Sequence, residues 1–453
     1  MSVDVLDQIV KAYDVRGTVP DQFDGAVAHA LGVGFARFTD ADRVIVGRDM
    51  RPSGPELVDE FARGLQEHGV DVVDVGLAST DMVYFAAGSL GAPAAVFTAS
   101  HNPAQYNGVK FCLDGARPVG IDSGLAVIRD TAKDVLRGTG PAPAARSGRR
   151  SERDLLPAFV DHVLSFIDPL SIRPMRVVAD VANGMGGLVV PAVFERVDAI
   201  DLEVMYPELD GTFPNHPADP IQPANQRDLR ARVASGGFDL GLAFDGDADR
   251  VFVVDEQSTG LSGSTTTAML AATVLRAEPG ATILHNLICS RAVPEVIVEC
   301  GGVPVRTKVG HSFIKQVMAE TGAAFGGEHS AHYYFARNFR ADSGLIASVM
   351  LIDELSRSDR PLSLLREPFE RYESSGEINT QVGDPVEVIE RISARFSDQP
   401  QDRLDGLSVE CGDWWFNLRP SNTEPLLRLN LEAIDRDRCD ESVADMLQMI
   451  TES

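Results

Sequence analysis

The fold is decided between Arg43 and Thr98, where the chain reads RVIVGRDMRPSGPELVDEFARGLQEHGVDVVDVGLASTDMVYFAAGSLGAPAAVFT. Short apolar runs rich in β-branched residues alternate there with amphipathic stretches. The predicted strands are 44–47, 70–75 and 94–98, and the predicted helices are 54–68 and 81–88. This alternation of strand and helix predicts a largely parallel sheet in an α/β domain.

The same alternation recurs twice farther along the chain. One further unit has predicted strands at 176–181, 238–244 and 251–254, and the next has strands at 282–286, 303–307 and 323–325 with helices at 291–300 and 312–320. A stretch without periodicity, residues 138–151, is rich in Gly, Pro, Ala and Arg and indicates a surface connection. We therefore predict three related α/β domains, residues 1–150, 151–256 and 257–368.

The pattern changes after Leu364. Predicted strands at 378–382, 407–411, 414–418 and 427–431 follow one another without regular crossover helices, and a helix at 441–450 closes the chain. This arrangement is typical of a smaller α+β domain, residues 369–453.

Composition limits the classes of partner. The 453 residues carry 41 Lys and Arg against 67 Asp and Glu, a formal net charge of -26. Such a surface repels nucleic acid phosphates and anionic membranes, so an anionic substrate needs a local cluster of cations.

No apolar run reaches the ~18 residues of a membrane span, and we expect a cytoplasmic protein. The five scattered cysteines contain no Cys-x-x-Cys pair, which indicates reduced thiols without a zinc site.

The first chemically suggestive segment is the serine loop, Thr98-Ala99-Ser100-His101-Asn102-Pro103, which follows an apolar strand. Ser100 is therefore predicted at the carboxyl end of a strand, where open α/β sheets bind ligands. A tight turn capped by Ser100 and Asn102 would have the same composition. A hydrolase triad is a poor interpretation, because adjacent Ser and His need not face each other and no Gly-x-Ser-x-Gly elbow is present.

The second segment is the metal loop, Asp245-Gly246-Asp247-Ala248-Asp249-Arg250, between two apolar runs. Three carboxylates in a glycine-containing loop can surround one hard cation. Calcium is less favoured than magnesium, because Arg250 stands where a calcium loop needs glycine and the flanks are predicted strands. An ordinary acidic turn would leave three like charges to repel one another.

Two further segments suit a sugar phosphate. The sugar loop, Gly326-Gly327-Glu328-His329-Ser330-Ala331-His332, concentrates donors and acceptors that match sugar hydroxyls. The phosphate loop, Arg419-Pro420-Ser421-Asn422-Thr423-Glu424-Pro425, combines a guanidinium with short polar side chains and backbone N–H groups. Solvated polar turns would have similar compositions. Lys308, Gly310 and His311 could add contacts, whereas Tyr13 and Arg16 lie in a cluster whose role the residues alone leave open.

Together these five segments resemble the α-D-phosphohexomutase superfamily, and within it the phosphomannomutase/phosphoglucomutase branch, over essentially the whole chain. The resemblance implies four domains around a central cleft, the fourth with a TATA-binding-protein-like fold. It also implies an intramolecular phosphotransferase in which phosphorylated Ser100 donates its phosphoryl group to a hexose phosphate. A hexose 1,6-bisphosphate is then the bound intermediate, and Mg²⁺ is held by Asp245, Asp247, Asp249 and one phosphoserine oxygen.

The resemblance further assigns roles to individual residues. Arg250 and Arg16 assist transfer, Lys110 and His332 are candidates for proton transfer, and His101 supports the serine loop. Glu328 and Ser330 orient the sugar. The remaining substrate-binding residues are Arg419, Ser421, Asn422, Thr423, Lys308, Gly310, His311 and Tyr13.

The sequence departs from the family pattern at two positions. Ala331 stands where glycine is usual, which would slightly restrict the sugar loop, and Ser264 replaces a common aspartate with little expected consequence. Mannose is the first expected sugar and glucose the second. If Glu328 and Ser330 bind O3 and O4, they do not contact C2, where the two sugars differ, so dual specificity is expected. The expected partner is a small phosphosugar only, with the protein a monomer or weak dimer. A magnesium-dependent phosphatase acting through Asp245 and a non-catalytic sugar-phosphate sensor are the competing hypotheses.

Overall fold

The computed structural model describes residues 4–420 and 426–452, which form four sheets. The first sheet has seven strands in the order β1-β5-β4-β2-β3-β7, with β6 beside β5. Its strands are β1 (Val15–Thr18), β2 (Arg43–Arg48), β3 (Asp71–Leu77), β4 (Ala94–Phe97), β5 (Tyr106–Leu113), β6 (Arg117–Pro118) and β7 (Arg150–Glu152). The helices around it are α1 (Val5–Ile9), α2 (Gly25–Thr39), α3 (Gly54–Glu67), α4 (Thr80–Leu90) and α5 (Leu125–Leu136).

The prediction of a largely parallel sheet is correct only for the strands around β2. There β2 runs parallel to β3 and β4, but β5 runs antiparallel to both β4 and β1. The reason is the short serine loop between β4 and β5, since a parallel pair would need a crossover of about a dozen residues. The predicted surface connection at 138–151 also ends in a strand, because β7 joins the sheet beside β3.

The second and third sheets have four strands each, in the orders β11-β10-β8-β9 and β13-β12-β14-β15. The second group comprises β8 (Met175–Asp180), β9 (Ile200–Met205), β10 (Leu240–Phe244) and β11 (Val251–Asp255), with α6 (Leu156–Leu164), α7 (Gly186–Phe194) and α8 (Arg227–Ala234). The third comprises β12 (Thr282–Asn286), β13 (Val303–Thr307), β14 (Phe325–Gly327) and β15 (Tyr333–Phe335), with α9 (Gly263–Ala277), α10 (Ala292–Glu299), α11 (His311–Thr321), α12 (Gly344–Ser356) and α13 (Leu362–Arg366).

The three α/β sheets share one topology. In each, an antiparallel pair (β4 with β5, β10 with β11, β14 with β15) borders strands that run parallel to the first member of that pair. The loops that join these antiparallel pairs are the serine, metal and sugar loops. The three predicted loops therefore occupy equivalent positions in three related sheets.

The fourth sheet is antiparallel throughout, with the order β16-β20-β19-β18-β17. Its elements are β16 (Glu373–Gln381), β17 (Gln401–Asp402), β18 (Leu407–Glu410), β19 (Trp414–Pro420) and β20 (Leu426–Ala433), with α14 (Pro385–Arg395) and α15 (Arg436–Thr451). The predicted mixture of α/β domains and a C-terminal α+β domain is confirmed. No helix within the described ranges has the length and apolar character that crossing a membrane requires.

The hydrophobic cores follow this division. One cluster of buried side chains runs from the first sheet through the second and third, and a separate cluster fills the fourth domain. Polar contacts join the fourth domain to the third. Arg306 pairs with Asp402, Arg291 pairs with Glu410, and the Arg291 N–H donates to Glu432 Oε2 at 2.9 Å.

The stability of this fold should depend on the protonation of His285, a residue of β12 that is only 5% exposed. Burial lowers the pKa of His285 from its ordinary 6.5 to about 4. Below pH 6.5 the unfolded chain binds a proton that the folded chain excludes, so stability is lost as the pH falls. Between pH 7 and pH 5 we expect this histidine to cost about 2 kcal/mol of unfolding free energy.

Urea unfolding of the wild type and of His285→Gln at both pH values checks this expectation. The variant should lose less stability on acidification than the wild type. Equal losses in the two proteins would contradict it.

Candidate active site

The serine and metal loops are in direct contact. Ser100 Oγ donates a hydrogen bond to Asp245 Oδ2 at 2.9 Å, across 145 residues of sequence. Gly246 packs so closely that a Cβ there would lie 2.6 Å from the Ser100 carbonyl oxygen. A larger residue at 246 would therefore push the two loops apart.

Ser100 lies in a polar environment that controls its hydroxyl. Its backbone has a left-handed φ of 49°, and Oγ lies 3.2 Å from His101 Nδ1 and 3.4 Å from Arg250 Nη2. Arg250 also donates from Nε to Asp245 Oδ2 at 2.9 Å. Burial, together with the charges of Arg250 and Arg16, lowers the pKa of His101 to about 2. His101 is therefore neutral and can accept from Arg250 Nη2, which lies 2.5 Å from its Nδ1.

The three carboxylates of the metal loop converge as predicted. Asp245, Asp247 and Asp249 are buried, and one oxygen from each lies within 4.8 Å of the others. Burial raises the pKa of Asp245 well above its ordinary value, and repulsion from Asp247 and Asp249 adds to this against the effect of Arg250. Asp247 Oδ1 and Asp249 Oδ1 are buried without a hydrogen-bond partner among the described residues. Such oxygens fit a hard divalent cation.

Lys110, on β5, joins the metal loop from the first sheet. Its Nζ lies 2.8 Å from both Asp247 Oδ2 and Asp249 Oδ2. Although burial favours the neutral amine, these two carboxylates raise the pKa of Lys110 well above its ordinary value. Thr80 Oγ1 also donates to Asp247 Oδ2 at 2.6 Å. The Oδ2 atoms of Asp247 and Asp249 thus bind protein donors, and their Oδ1 atoms could hold a cation.

Arg16 reaches the serine loop from β1. Its Nη1 donates to Asn102 Oδ1 at 2.6 Å, and its Nη2 donates to Asp14 Oδ2 at 2.5 Å. The question that the sequence left open is thereby answered in part: Arg16 has an acidic partner and also touches the serine loop.

The sugar loop meets the metal loop through His332. Its Nε2 lies 3.7 Å from Asp249 Oδ1, and its Nδ1 lies 3.0 Å from Ser330 Oγ. Glu328 is 2% exposed and accepts from Tyr334 Oη at 2.8 Å, from the Gly310 N–H at 3.2 Å and from Asn286 Nδ2 at 3.3 Å. The carboxylate is therefore fixed in place, and its remaining lone pairs can accept from sugar hydroxyls.

The two departures from the family pattern have visible consequences at the sugar loop. Ala331 is buried with a left-handed φ of 65°, a conformation that costs a non-glycine residue about 1–2 kcal/mol. Ser264 Oγ accepts from the Ser290 N–H at 3.1 Å and lies 3.1 Å from His329 Nδ1. The serine at 264 thus contacts the sugar loop, a role that the sequence analysis did not foresee.

The remaining predicted residues that the structure describes are Arg419 in the fourth domain, Tyr13 in the first, and Lys308 and Gly310 in the third. Arg419, on β19, donates from Nη2 to Glu377 Oε2 at 2.6 Å, and Tyr13 packs edge-on against Phe313 at 5.7 Å. Exposed Lys308 has its Nζ 5.7 Å from the same Phe313 ring. Gly310 has a φ of 128°, and a Cβ there would lie 2.7 Å from Tyr13 Oη. Ser421, Asn422, Thr423 and the side chain of His311 lie outside the described part of the chain.

The residues that bind the backbone of the serine loop were not predicted from the sequence. The most important of these is Arg51. Arg51 is fully buried and donates to three carbonyl groups of the loop and to the carbonyl of Tyr106, the first residue of β5. The available signal was the polar run Arg48-Asp49-Met50-Arg51 at the carboxyl end of a predicted strand.

Comparison with known proteins agrees with this geometry. Models of the phosphoglucomutase/phosphomannomutase α/β/α domains I, II and III match residues 7–135, 157–260 and 262–372, and the model of the C-terminal domain matches 377–449. The chain belongs to the phosphoglucomutase/phosphomannomutase family. The predicted superfamily and the predicted enzyme class, an intramolecular phosphotransferase, are confirmed.

Relatives of this family resemble the chain along most of its length. It is 37% identical to a phosphomannomutase of Escherichia coli and 38% identical to phosphohexose mutases of Xanthomonas campestris, with 93% of this chain and 94% of each relative covered. A solved phosphoglucomutase/phosphomannomutase family protein from Burkholderia thailandensis is 31% identical, with a TM-score of 0.89 over 100% of this chain and 99% of its own. The predicted domain bounds, 1–150, 151–256, 257–368 and 369–453, remain our working division of the chain.

Proposed function

We propose that this family member interconverts mannose 1-phosphate and mannose 6-phosphate through phosphorylated Ser100 and a bound hexose 1,6-bisphosphate. The observation that carries the proposal is the position of Ser100 Oγ, 2.9 Å from Asp245 Oδ2 and within reach of Arg250. A phosphoryl group on this oxygen would lie beside the buried carboxylates that can hold a cation. Curated relatives from Escherichia coli, Salmonella typhimurium and Vibrio cholerae are named phosphomannomutases at 37–38% identity, which supports mannose as the sugar.

The proposed reaction consists of two phosphoryl transfers, each accompanied by proton transfers. In the first, the bond between Ser100 Oγ and phosphorus breaks and Ser100 Oγ takes up a proton, while the free hydroxyl of the hexose phosphate takes the phosphoryl group and gives up its proton. In the second, after the bisphosphate turns over in the cleft, the Ser100 hydroxyl gives up its proton and takes the other phosphoryl group, and a proton returns to the sugar oxygen. Lys110 and His332, both beside the metal loop, are the proposed groups for these proton transfers.

The other residues bind the metal and the substrate, orient the sugar and neutralise the charge of the transferred group. Asp245, Asp247 and Asp249, with one phosphoserine oxygen, would hold Mg²⁺, which neutralises charge on the transferred group. Arg250 and Arg16 add positive charge around the serine loop. Glu328 and Ser330 would orient the sugar, and the groups around Arg419 would bind the phosphate that does not react, whichever end of the sugar carries it.

Glucose is the second candidate sugar. Contacts from Glu328 and Ser330 to O3 and O4, as the family resemblance implies, would not distinguish mannose from glucose at C2. Phosphorus NMR with Mg²⁺ and a trace of glucose 1,6-bisphosphate tests both, with mannose, glucose and glucosamine 1-phosphates supplied separately. We expect the fastest conversion to a 6-phosphate for mannose. Faster conversion of glucose 1-phosphate would make glucose the preferred sugar. Release of free phosphate alone would indicate a phosphatase acting through Asp245.

Replacing Arg419 with alanine should weaken substrate binding more than chemistry. Its guanidinium stands on β19 beside the phosphate loop, and Nε is buried without a partner among the described residues. Losing a charge-assisted contact to a phosphate costs about 1.5–3 kcal/mol, so KM should rise roughly 10- to 100-fold. Steady-state kinetics with mannose 1-phosphate checks this.

Arg403→Ala is the matched control, since Arg403 is an exposed arginine of the same domain that pairs with Glu390. We expect its KM to stay at the wild-type value. A loss confined to kcat in Arg419→Ala would contradict the binding role.

We also propose that the enzyme acts in the cytoplasm as a monomer or weak dimer on small phosphosugars, without nucleic acid or membrane contact. The net charge of -26 supports this, because most of the surface repels polyanions. Sedimentation at micromolar protein concentration, with and without duplex DNA or anionic vesicles, checks it. A stable higher oligomer or co-sedimentation would contradict it.

A further inference from the structure

Arg51 is the largest fully buried side chain of the described residues, and it lies directly beneath the serine loop. Nη1 donates to the carbonyl oxygens of Pro103 and Tyr106 at 2.9 Å each. Nη2 donates to the carbonyls of Ser100 at 2.9 Å and Asn102 at 2.7 Å. Nε donates to Asp49 Oδ2 at 3.2 Å. All five N–H groups of the guanidinium are thus used: three bind the serine loop, one binds the first residue of β5, and one binds Asp49.

The serine loop needs such support because its backbone is strained. Ser100 has a φ of 49°, in the left-handed region that costs a non-glycine residue about 1–2 kcal/mol. Its carbonyl, and those of Asn102 and Pro103, belong to the turn between β4 and β5 and are not part of the strand ladder. The planar guanidinium binds these carbonyls together, which fixes the direction in which Ser100 Oγ points.

Arg51 is itself held from two sides. Asp49 Oδ1 accepts the backbone N–H of Arg51 at 2.9 Å, and the Phe213 ring of the second domain lies 5.2 Å from its Cζ. Gly211 approaches so closely that a Cβ there would lie 2.6 Å from Arg51 Cα. The same side chain therefore connects the serine loop to the domain that supplies Asp245.

We propose that Arg51 is a positioning residue for phosphoryl transfer, which keeps Ser100 Oγ aligned with Asp245 and Arg250 through both transfers. The proposal rests on the proposed function. Arg51 is buried beneath the loop, so its effect on the reaction passes through Ser100. Lysine cannot replace it, because one ammonium offers three donors from a single atom and cannot span four carbonyls.

The test uses Arg51→Lys, which keeps a positive charge beside Asp49. We expect kcat with mannose 1-phosphate, and the rate at which glucose 1,6-bisphosphate phosphorylates Ser100, to fall about 100-fold, as for a nucleophile displaced by about 1 Å. KM should stay within about 3-fold, because the phosphate loop is unchanged. Hydrogen exchange of the amides in residues 98–106 should rise at least about 10-fold as local opening becomes easier.

Arg366→Lys is the matched control. Arg366 also pairs a guanidinium with a fully buried carboxylate, Asp255, at 2.9 Å, but it lies on α13, away from the serine loop. We expect a comparable loss of thermal stability with wild-type kcat. If Arg51→Lys does not fold, the double variant Asp49→Asn/Arg51→Met removes the buried charge pair as a whole and should show the same kinetic and exchange changes.

The outcomes separate this proposal from the proposed function. Wild-type kcat and wild-type exchange at residues 98–106 in Arg51→Lys, with only a lower melting temperature, would overturn the positioning role. A wild-type protein without turnover or Ser100 phosphorylation would overturn the function, and increased exchange confined to residues 98–106 would still report that Arg51 holds the loop. Wild-type exchange there in the variant would reject the role independently of catalysis.

Discussion

Replacing Ser100 with alanine should reduce mutase turnover by roughly 10⁴-fold or more, because the variant lacks the oxygen that carries the phosphoryl group between the two ends of the sugar. The hydroxyl is small, and the contacts it loses are those to Asp245, His101 and Arg250. Substrate affinity should therefore change little. The measurements are kcat in a coupled assay for mannose 6-phosphate, and mannose 1-phosphate binding by calorimetry.

Ser89→Ala is the control for this experiment. Ser89 is an exposed serine of α4 in the same domain, and its Oγ donates to the Ala86 carbonyl at 3.5 Å. It should have wild-type kcat. Rates near wild type for Ser100→Ala would reject a phosphoserine carrier, and free phosphate released at the wild-type rate would favour the phosphatase hypothesis.

Changing Asp249 to asparagine should have the second largest effect. The substitution preserves the size of the side chain but removes a carboxylate from the cluster of three, and it alters the group whose Oδ1 is buried without a hydrogen-bond partner among residues 4–420 and 426–452. A metal that stabilises transferred charge contributes several kcal/mol, so turnover should fall about 10³-fold. Higher Mg²⁺ concentrations should be needed for half-maximal activity.

Titration of activity with Mg²⁺ after treatment with a chelator measures both effects, and calorimetric Mg²⁺ binding measures the site without turnover. Asp201→Asn is the control, since Asp201 is an exposed carboxylate of the second domain that pairs with Arg176. A chelator-treated wild type with full activity, or an Asp249→Asn variant with the wild-type Mg²⁺ requirement, would contradict the metal assignment.

Local sequence patterns were sufficient to predict the elements and loops that carry the chemistry. The predicted strand 44–47 lies within β2 (Arg43–Arg48), the predicted helix 54–68 corresponds to α3 (Gly54–Glu67), and the acidic loop does lie between two buried strands. These features repeat every two to four residues, or depend on glycine at one position, so they can be recognised without knowledge of the tertiary fold.

Long-range relations were not predictable in this way. The strand at β7 leaves no periodic signal, because its partner β3 lies more than 70 residues earlier in the chain. The antiparallel direction of β5 also leaves no periodic signal, although the short loop after β4 requires it. The bond from Ser100 to Asp245 spans 145 residues, and the sequence gives no distance between them. Arg51 was missed for the same reason, since a buried arginine is recognised only by the carbonyls that it binds.

Ser264, one of the two departures from the family pattern, also shows that long-range contacts were not predictable from the sequence. The serine at 264 is predicted to have little consequence, because this position is not among the groups assigned to the reaction. In the folded chain its Oγ contacts His329 of the sugar loop and the N–H of Ser290. Its significance depends on the third sheet bringing three distant segments together.

The most direct test of the central claim, that Ser100 carries the phosphoryl group, is a pulse and chase. The purified wild type is treated with radiolabelled glucose 1,6-bisphosphate and Mg²⁺, its labelled residue is mapped by mass spectrometry, and unlabelled mannose 1-phosphate is then added. We expect the label on Ser100, and its transfer to mannose phosphate within one turnover. Label on an aspartate, or label on Ser100 that leaves only as free phosphate, would contradict the account.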